Sequence, residues 1–185
     1  MRLDLGKKPL IYPQPVLVIG TYSEDGTPDA MTAAWGAVGD DTQVFLCLSA
    51  EHKTVENILR DRHFTVSMGT LDTLEACDYL GIESGNKVPD KIKKSGLTPV
   101  KAEHVNAPYF EELPLALECE LISYEPKHCH LFGEIVGTCV DERILTDGKV
   151  DPAKLKAISY DIENHGYLLV GERVGNAFKD GLELR

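Results

Sequence analysis

The chain has 185 residues, 43% of them hydrophobic and 26% charged, and its formal net charge is −11. This balance suits one domain, 1–185, with a sizeable core, and the acidic excess argues against non-specific nucleic-acid binding, which needs a basic footprint. No apolar run reaches the roughly 18 residues of a membrane-spanning helix, and the opening "MRLDLGKKPLIYPQP" lacks the apolar centre of a secretory leader, so a cytoplasmic protein without a membrane partner is expected.

The first strand is "VLVIGTY" (16–22), apolar and β-branched. The Asp25-Gly26 pair in "SEDGT" is a hairpin signal, which makes "PDAMTAAWGAV" (28–38) the return strand. After "GDD" comes the strand "TQVFLCLS" (42–49). "TVENILRD" (54–61) reads as a helix capped by Thr54, with Val55, Ile58 and Leu59 on one face. "HFTVSMG" (63–69) is a strand, and "DTLEACDYLGI" (72–82) is a helix with acids in its first turn. The stretch 83–114 is the least strand-like, a long polar excursion of the kind that often carries function. Within it "PDKIKKSG" (89–96) reads as a short helix between Pro89 and Gly96. "LALECELISYE" (115–125) and "HLFGEIVGTCVD" (130–141) pair as strands around "EPKH". "DPAKLKAI" (151–158) reads as a helix with Asp151 as cap, and "YLLVGE" (167–172) as a final strand. Strands joined mostly by tight turns favour an antiparallel barrel or sandwich with peripheral helices, a mainly β fold, over a doubly wound parallel sheet.

Five cysteines, at 47, 77, 119, 129 and 139, form no C-x-x-C pair. Reduced thiols in a reducing compartment are the simplest reading.

Several places can hold chemistry. "MTAAWGAV" (31–38) sets three small residues, Thr32, Ala33 and Ala34, before Trp35, the only tryptophan. Either the spot is tight in a core, or a flat molecule lies against the backbone there. "SAEHKTVENI" (49–58) places Ser49, His52, Lys53 and Thr54 at a helix start, where unpaired N–H groups and the positive helix end suit a phosphate; ordinary capping is the alternative. Lys87, Lys91, Lys93 and Lys94 are either a solvated short helix or a clamp on a phosphate or nucleotide. In "HCH", strand geometry would put His128 and His130 on one face with Cys129 opposite. No second Cys/His pair completes a zinc set, so no metal is expected. Hydrolase, P-loop, zincin and Rossmann motifs are absent, so an enzyme of this sequence would borrow its chemistry from a cofactor.

Taken in order, "PQPVLVIGTYSEDGTPDAMTAAWGAV", "VFLCLSAEHKTVENI", "GEIVG" and "YLLVGERVGNAF" resemble the flavin reductase-like family of FMN-binding split barrels, and within it the flavoredoxin-type branch. The resemblance spans roughly 9 to 180. It implies a six-stranded antiparallel Greek-key split barrel with added helices, forming a homodimer with FMN near the subunit interface. It places Met31, Thr32, Ala33, Ala34 and Trp35 near the isoalloxazine, and Ser49, Lys53 and Thr54 near the phosphate with His52 beside them. Lys87 and Lys91 are further phosphate candidates from the long loop. Members that use NADH often carry Gly-Asp-His ahead of a strand like "IFIGEV"; here His128 matches, but Pro126 and Lys127 replace Gly-Asp. The resemblance therefore implies an FMN flavoprotein passing electrons to a protein or small acceptor. The alternatives are an NADH- or NADPH-dependent reductase of diffusible flavin, with His128 at the nicotinamide, and a split-barrel binding module without redox activity.

Overall fold

The computed structural model describes all 185 residues. A two-residue strand, β1 (Gln14–Pro15), precedes the hairpin of β2 (Leu17–Tyr22) and β3 (Pro28–Ala33). The turn chemistry read from the sequence is present: Gly26 sits at φ +82° and Asp25 Oδ1 accepts from the Thr27 N–H. Then follow β4 (Gly36–Asp40), β5 (Gln43–Cys47), α1 (Lys53–Asp61), β6 (His63–Met68), α2 (Leu74–Ile82) and α3 (Lys91–Ser95). The strands β7 (Pro99–Lys101) and β8 (Pro108–Phe110) form a small sheet, and β9 (Leu115–Glu125) and β10 (His130–Val140) form the long central hairpin. The chain closes with β11 (Leu145–Thr146), β12 (Lys149–Val150), α4 (Pro152–Leu155), β13 (Ile158–Asp161) and β14 (Gly166–Leu169).

The main sheet is antiparallel, with strand order β3-β2-β6-β9-β10-β5-β4. Its two outermost strands, β3 and β4, are separated in the chain by only Ala34 and Trp35. Two residues cannot span a flat seven-stranded sheet, whose strands lie about 4.8 Å apart. The sheet must therefore curl until its edges approach each other, and this is the mainly β half-barrel the sequence implies. The resemblance implies six strands, whereas the main sheet has seven, and the run 28–38 read as one return strand divides at Ala34–Trp35 into β3 and β4.

Both faces of β2 are covered, which explains its continuous apolar run. Leu17 and Ile19 point into the barrel with Leu46, Ile58, Phe64 and Leu131. Val16 and Val18 face a second layer with Cys77, Leu80, Ile92, Phe110 and Ile158. Each large aliphatic or aromatic side chain so buried stabilises the fold by about 1.5–3 kcal/mol.

Three expectations change. The helix read over 151–158 stops at Leu155, where Lys156 turns left-handed at φ +50°. Asp151 caps it as expected, its side chain accepting from the Ala153 N–H. Ile158–Asp161 becomes a strand between β1 and β14, because burial of Ile158 in the second layer outweighs four residues of weak helix. The excursion 83–114 is more structured than its polarity implied: Ile92, Leu97, Phe110 and Leu113 are buried in the second layer. Finally, Cys129 lies in the β9–β10 turn at φ +60°, so "HCH" is not a regular strand.

Candidate functional site

β3 is an edge strand of the main sheet, paired only with β2. Half of its backbone N–H and C=O groups therefore have no ladder partner. α2 packs near this edge, and Thr32 Oγ1 donates to the Cys77 carbonyl of α2 at 2.6 Å. Between them, and extending past the barrel corner, lies a cavity of about 390 Å³. Met31, Thr32, Ala33, Ala34 and Trp35 all line it, together with His52. The opposite side is built from Asp78, Gly81 and Ile82 of α2 and from Tyr160 and Tyr167 of the β13–β14 hairpin.

Trp35 is 47% exposed, so it is no core anchor. It sits on the cavity wall with its ring centroid 6.5 Å from that of Tyr160. Tyr160 in turn lies 6.2 Å from Tyr167, giving a run of three rings. The Tyr167 hydroxyl donates to Asp78 Oδ1 at 2.7 Å. Burial, reinforced by that carboxylate, pushes the Tyr167 phenol far above the ordinary tyrosine range.

A smaller chamber of about 180 Å³ adjoins the first, sharing Met31, Thr32, His52, Gly81 and Ile82. Its further walls are Lys53 and Thr54 at the start of α1, Glu83, Ser84 and Gly85 after α2, and Lys91. The cap of α1 is His52, not Thr54, and its side chain makes no capping bond. The backbone N–H groups of Lys53, Thr54 and Val55 have no acceptor within the protein. These are the donors an α-helix leaves unpaired at its positive end.

Thr54 is buried and its hydroxyl donates to Asp29 Oδ2 at 2.6 Å. The other oxygen of Asp29 is buried without a partner. Burial holds the Asp29 carboxyl above the usual carboxylate range, against the opposing pull of Thr54, Lys91 and Lys53. Lys91 is also buried, and its ammonium donates to the carbonyls of Glu83 at 2.6 Å and Leu80 at 3.3 Å. Burial lowers its pKa, and the charges of Asp29 and Glu83 partly restore it.

The two chambers thus collect Met31, Thr32, Ala33, Ala34, Trp35, His52, Lys53, Thr54 and Lys91. Ser49, Lys87 and His128 line neither. The Ser49 carbonyl accepts from the His52 N–H, shaping the approach to α1. Lys87 is exposed. The His128 ring is engaged by Glu125 Oε2 at 2.7 Å, although its carbonyl lies 3.7 Å from the sulfur of Cys47 on the cavity wall. Sequence reasoning missed Asp78, Tyr160 and Tyr167. Tyr167 stands in the quoted "YLLVGE" motif, whereas Tyr160 was hidden by the helical reading of the residues before it.

The half-barrel fold is shared with known proteins. The family model described as "Flavin reductase like domain" matches residues 10–153. The chain belongs to that family. The flavoredoxin of Desulfovibrio vulgaris (Miyazaki F) superposes with a TM-score of 0.94 and 36% identity, covering 98% of this chain and 100% of that one. The flavoredoxin of Methanosarcina acetivorans gives a TM-score of 0.89 and 26% identity over 100% of both chains. An uncharacterised protein of Aeropyrum pernix is 27% identical over 115 residues, which make up 61% of this chain but only 43% of that protein's length.

Proposed function

We propose that the chain holds FMN across the two chambers and passes electrons through it to a protein or small-molecule acceptor. One observation carries this reading: a mostly apolar cavity beside an unpaired strand edge opens into a polar chamber with three unpaired helix N–H groups. An isoalloxazine needs an apolar slot with fixed donors and acceptors along one edge, and a phosphate needs a positive helix end. The donor set fits both.

In this reading Ala33 and Ala34 keep side-chain bulk away from the ring edge, so backbone groups of 31–35 reach it. The Thr32 proton is held by the Cys77 carbonyl, which leaves its oxygen as an acceptor. Met31 and Trp35 exclude water from the ring, and Lys53 with the N–H groups of Lys53 and Thr54 holds the phosphate. Bound FMN supplies the acceptance and release of a hydride or of single electrons. No side chain is required as acid or base.

The terminal segments favour a homodimer. Leu3, Leu5 and Ile11 before β1, and Val170, Val174, Phe178 and Leu184 after β14, are exposed in the single chain. A second copy covering them would remove that apolar surface from water. All five cysteines are free thiols, which suits a reducing cytoplasm. No helix is long and apolar enough to cross a membrane.

The test is a visible spectrum and an FMN titration of the purified protein, with its mass in solution. Flavin absorbance and a sub-micromolar dissociation constant, tighter than about −8 kcal/mol, are expected. A colourless protein that takes up no added FMN overturns the reading. Anaerobic mixing with NADH and NADPH then separates a direct nicotinamide donor from a reduced protein donor.

A further inference from the structure

Asp78, Gly81 and Ile82 stand at positions i, i+3 and i+4 of α2, so they share the helix face that walls the larger cavity. Gly81 is bare and Ile82 is apolar, which leaves Asp78 as the one polar side chain that α2 presents there. Asp78 is half-buried and makes no ion pair. Its side-chain partner is the Tyr167 hydroxyl, which donates to Oδ1 at 2.7 Å, and Oδ2 makes no hydrogen bond to the protein.

The charges around this cavity are lopsided. No lysine or arginine lines it, and His52 is the one side chain on its wall that can become positive. Lys53 and Lys91 line the smaller chamber instead, where a phosphate would offset their charge. The carboxylate of Asp78 therefore faces the larger cavity without a balancing cation.

A carboxylate is not needed to fasten the β13–β14 hairpin to α2. A neutral amide oxygen accepts from a phenol as readily, and taking a charge partly out of water costs free energy that an amide does not. The Tyr167 phenol, held well above its ordinary range, keeps its proton and remains a donor that points the carboxylate at the cavity.

Charge on this wall matters to a ring that gains electrons. Two electrons and one proton turn a neutral isoalloxazine into an anion. An unbalanced carboxylate nearby raises the energy of that anion more than that of the neutral ring. We infer that Asp78, held in place by Tyr167, disfavours the anionic reduced form of the bound flavin and so makes the flavin a stronger electron donor. Tyr167 is a positioning residue, acting through Asp78. The inference rests on the FMN reading above, and it suits a site that passes electrons onward.

The test is a redox titration against a reference dye, read from the flavin spectrum. It compares FMN-loaded wild type, Asp78→Asn and Tyr167→Phe at mildly alkaline pH, where the reduced ring holds a single added proton. Asparagine keeps an acceptor for Tyr167 and removes the charge. At a fixed potential its ratio of reduced to oxidised flavin is expected to rise at least about tenfold, a positive shift of about 30 mV for a two-electron couple. Tyr167→Phe keeps the charge, and its ratio is expected to rise less than about twofold, about 9 mV on the same scale. A site merely loosened would move both variants together. A smaller rise or a fall in Asp78→Asn, or a larger rise in Tyr167→Phe, overturns the inference. Asp78→Ser takes the place of the asparagine variant if that does not fold. Wild-type protein that takes up no FMN overturns the FMN reading instead, and shows itself before any potential is measured.

Discussion

The Thr54 hydroxyl donates to Asp29 Oδ2 at 2.6 Å, across 25 residues of chain. This bond fastens the start of α1 to the edge strand β3, and so fixes the polar chamber relative to the apolar one. Its cost is visible in the second oxygen of Asp29, which is buried and unpartnered.

That cost sets a pH dependence. The folded Asp29 carboxyl is raised above its unfolded value, chiefly by burial. Between the two values the native state holds a proton that the unfolded chain has released, so stability falls as pH rises through that window. The penalty is absent below the ordinary carboxylate range and complete above the folded pKa. Asp29→Asn removes it, and its urea midpoint relative to wild type is expected to be higher at neutral than at acid pH. Midpoints that shift in parallel at both pH values would show the penalty is not there.

Gly85→Ala is expected to destabilise the protein by about 1–3 kcal/mol, the usual cost of an overpacked site. The added methyl meets Asp29 Oδ1. Asp29→Ser should relieve part of that loss, so a double-mutant cycle should give a non-additive term of at least about 0.5 kcal/mol. Strict additivity would locate the strain elsewhere.

Trp35 reports on the cavity directly. Because it is exposed and the only tryptophan, its emission is expected to be quenched in step with FMN uptake. Trp35→Ala should leave thermal stability within about 0.5 kcal/mol of wild type, as for a surface change. It should weaken FMN binding about 3- to 10-fold through lost ring contact. A large loss of stability with unaltered FMN affinity would make it a structural residue.

Tyr167→Phe removes a hydrogen bond to a carboxylate and leaves Asp78 without that donor. A loss of about 1.5–3 kcal/mol is expected in denaturant titration. Alkaline absorbance should show one tyrosine in the wild type ionising well above the others, and the variant should lack that step. A variant with the full set of ionisations would assign the shifted phenol to another residue.

Much of the architecture was legible in the chain. The Asp25-Gly26 turn, the strand 115–125 and its partner, and the helix around 54–61 follow from local rules: turn chemistry, alternation and amphipathic spacing. The small residues of "MTAAW" and the helix start at "HKT" were legible as well, because steric clearance and unpaired N–H groups are properties of short segments.

What the tertiary structure decided is where long-range packing outweighs local preference. The corner at Ala34–Trp35 exists because the sheet must close on itself, and no local signal marks it. Ile158–Asp161 is a strand because the second layer needs Ile158 and the sheet edge needs a partner. Tyr160, Tyr167 and Asp78 reach the cavity only through that packing. Lys91 reads in the sequence as part of either a solvated short helix or a phosphate clamp; it is buried at the end of α2, since only the folded chain brings that helix end beside the start of α1. The sequence alone determined where small residues meet a strand edge and where a helix starts beside His52 and Lys53; the fold decided which charges surround them, because electrostatics depends on distance in space and not along the chain.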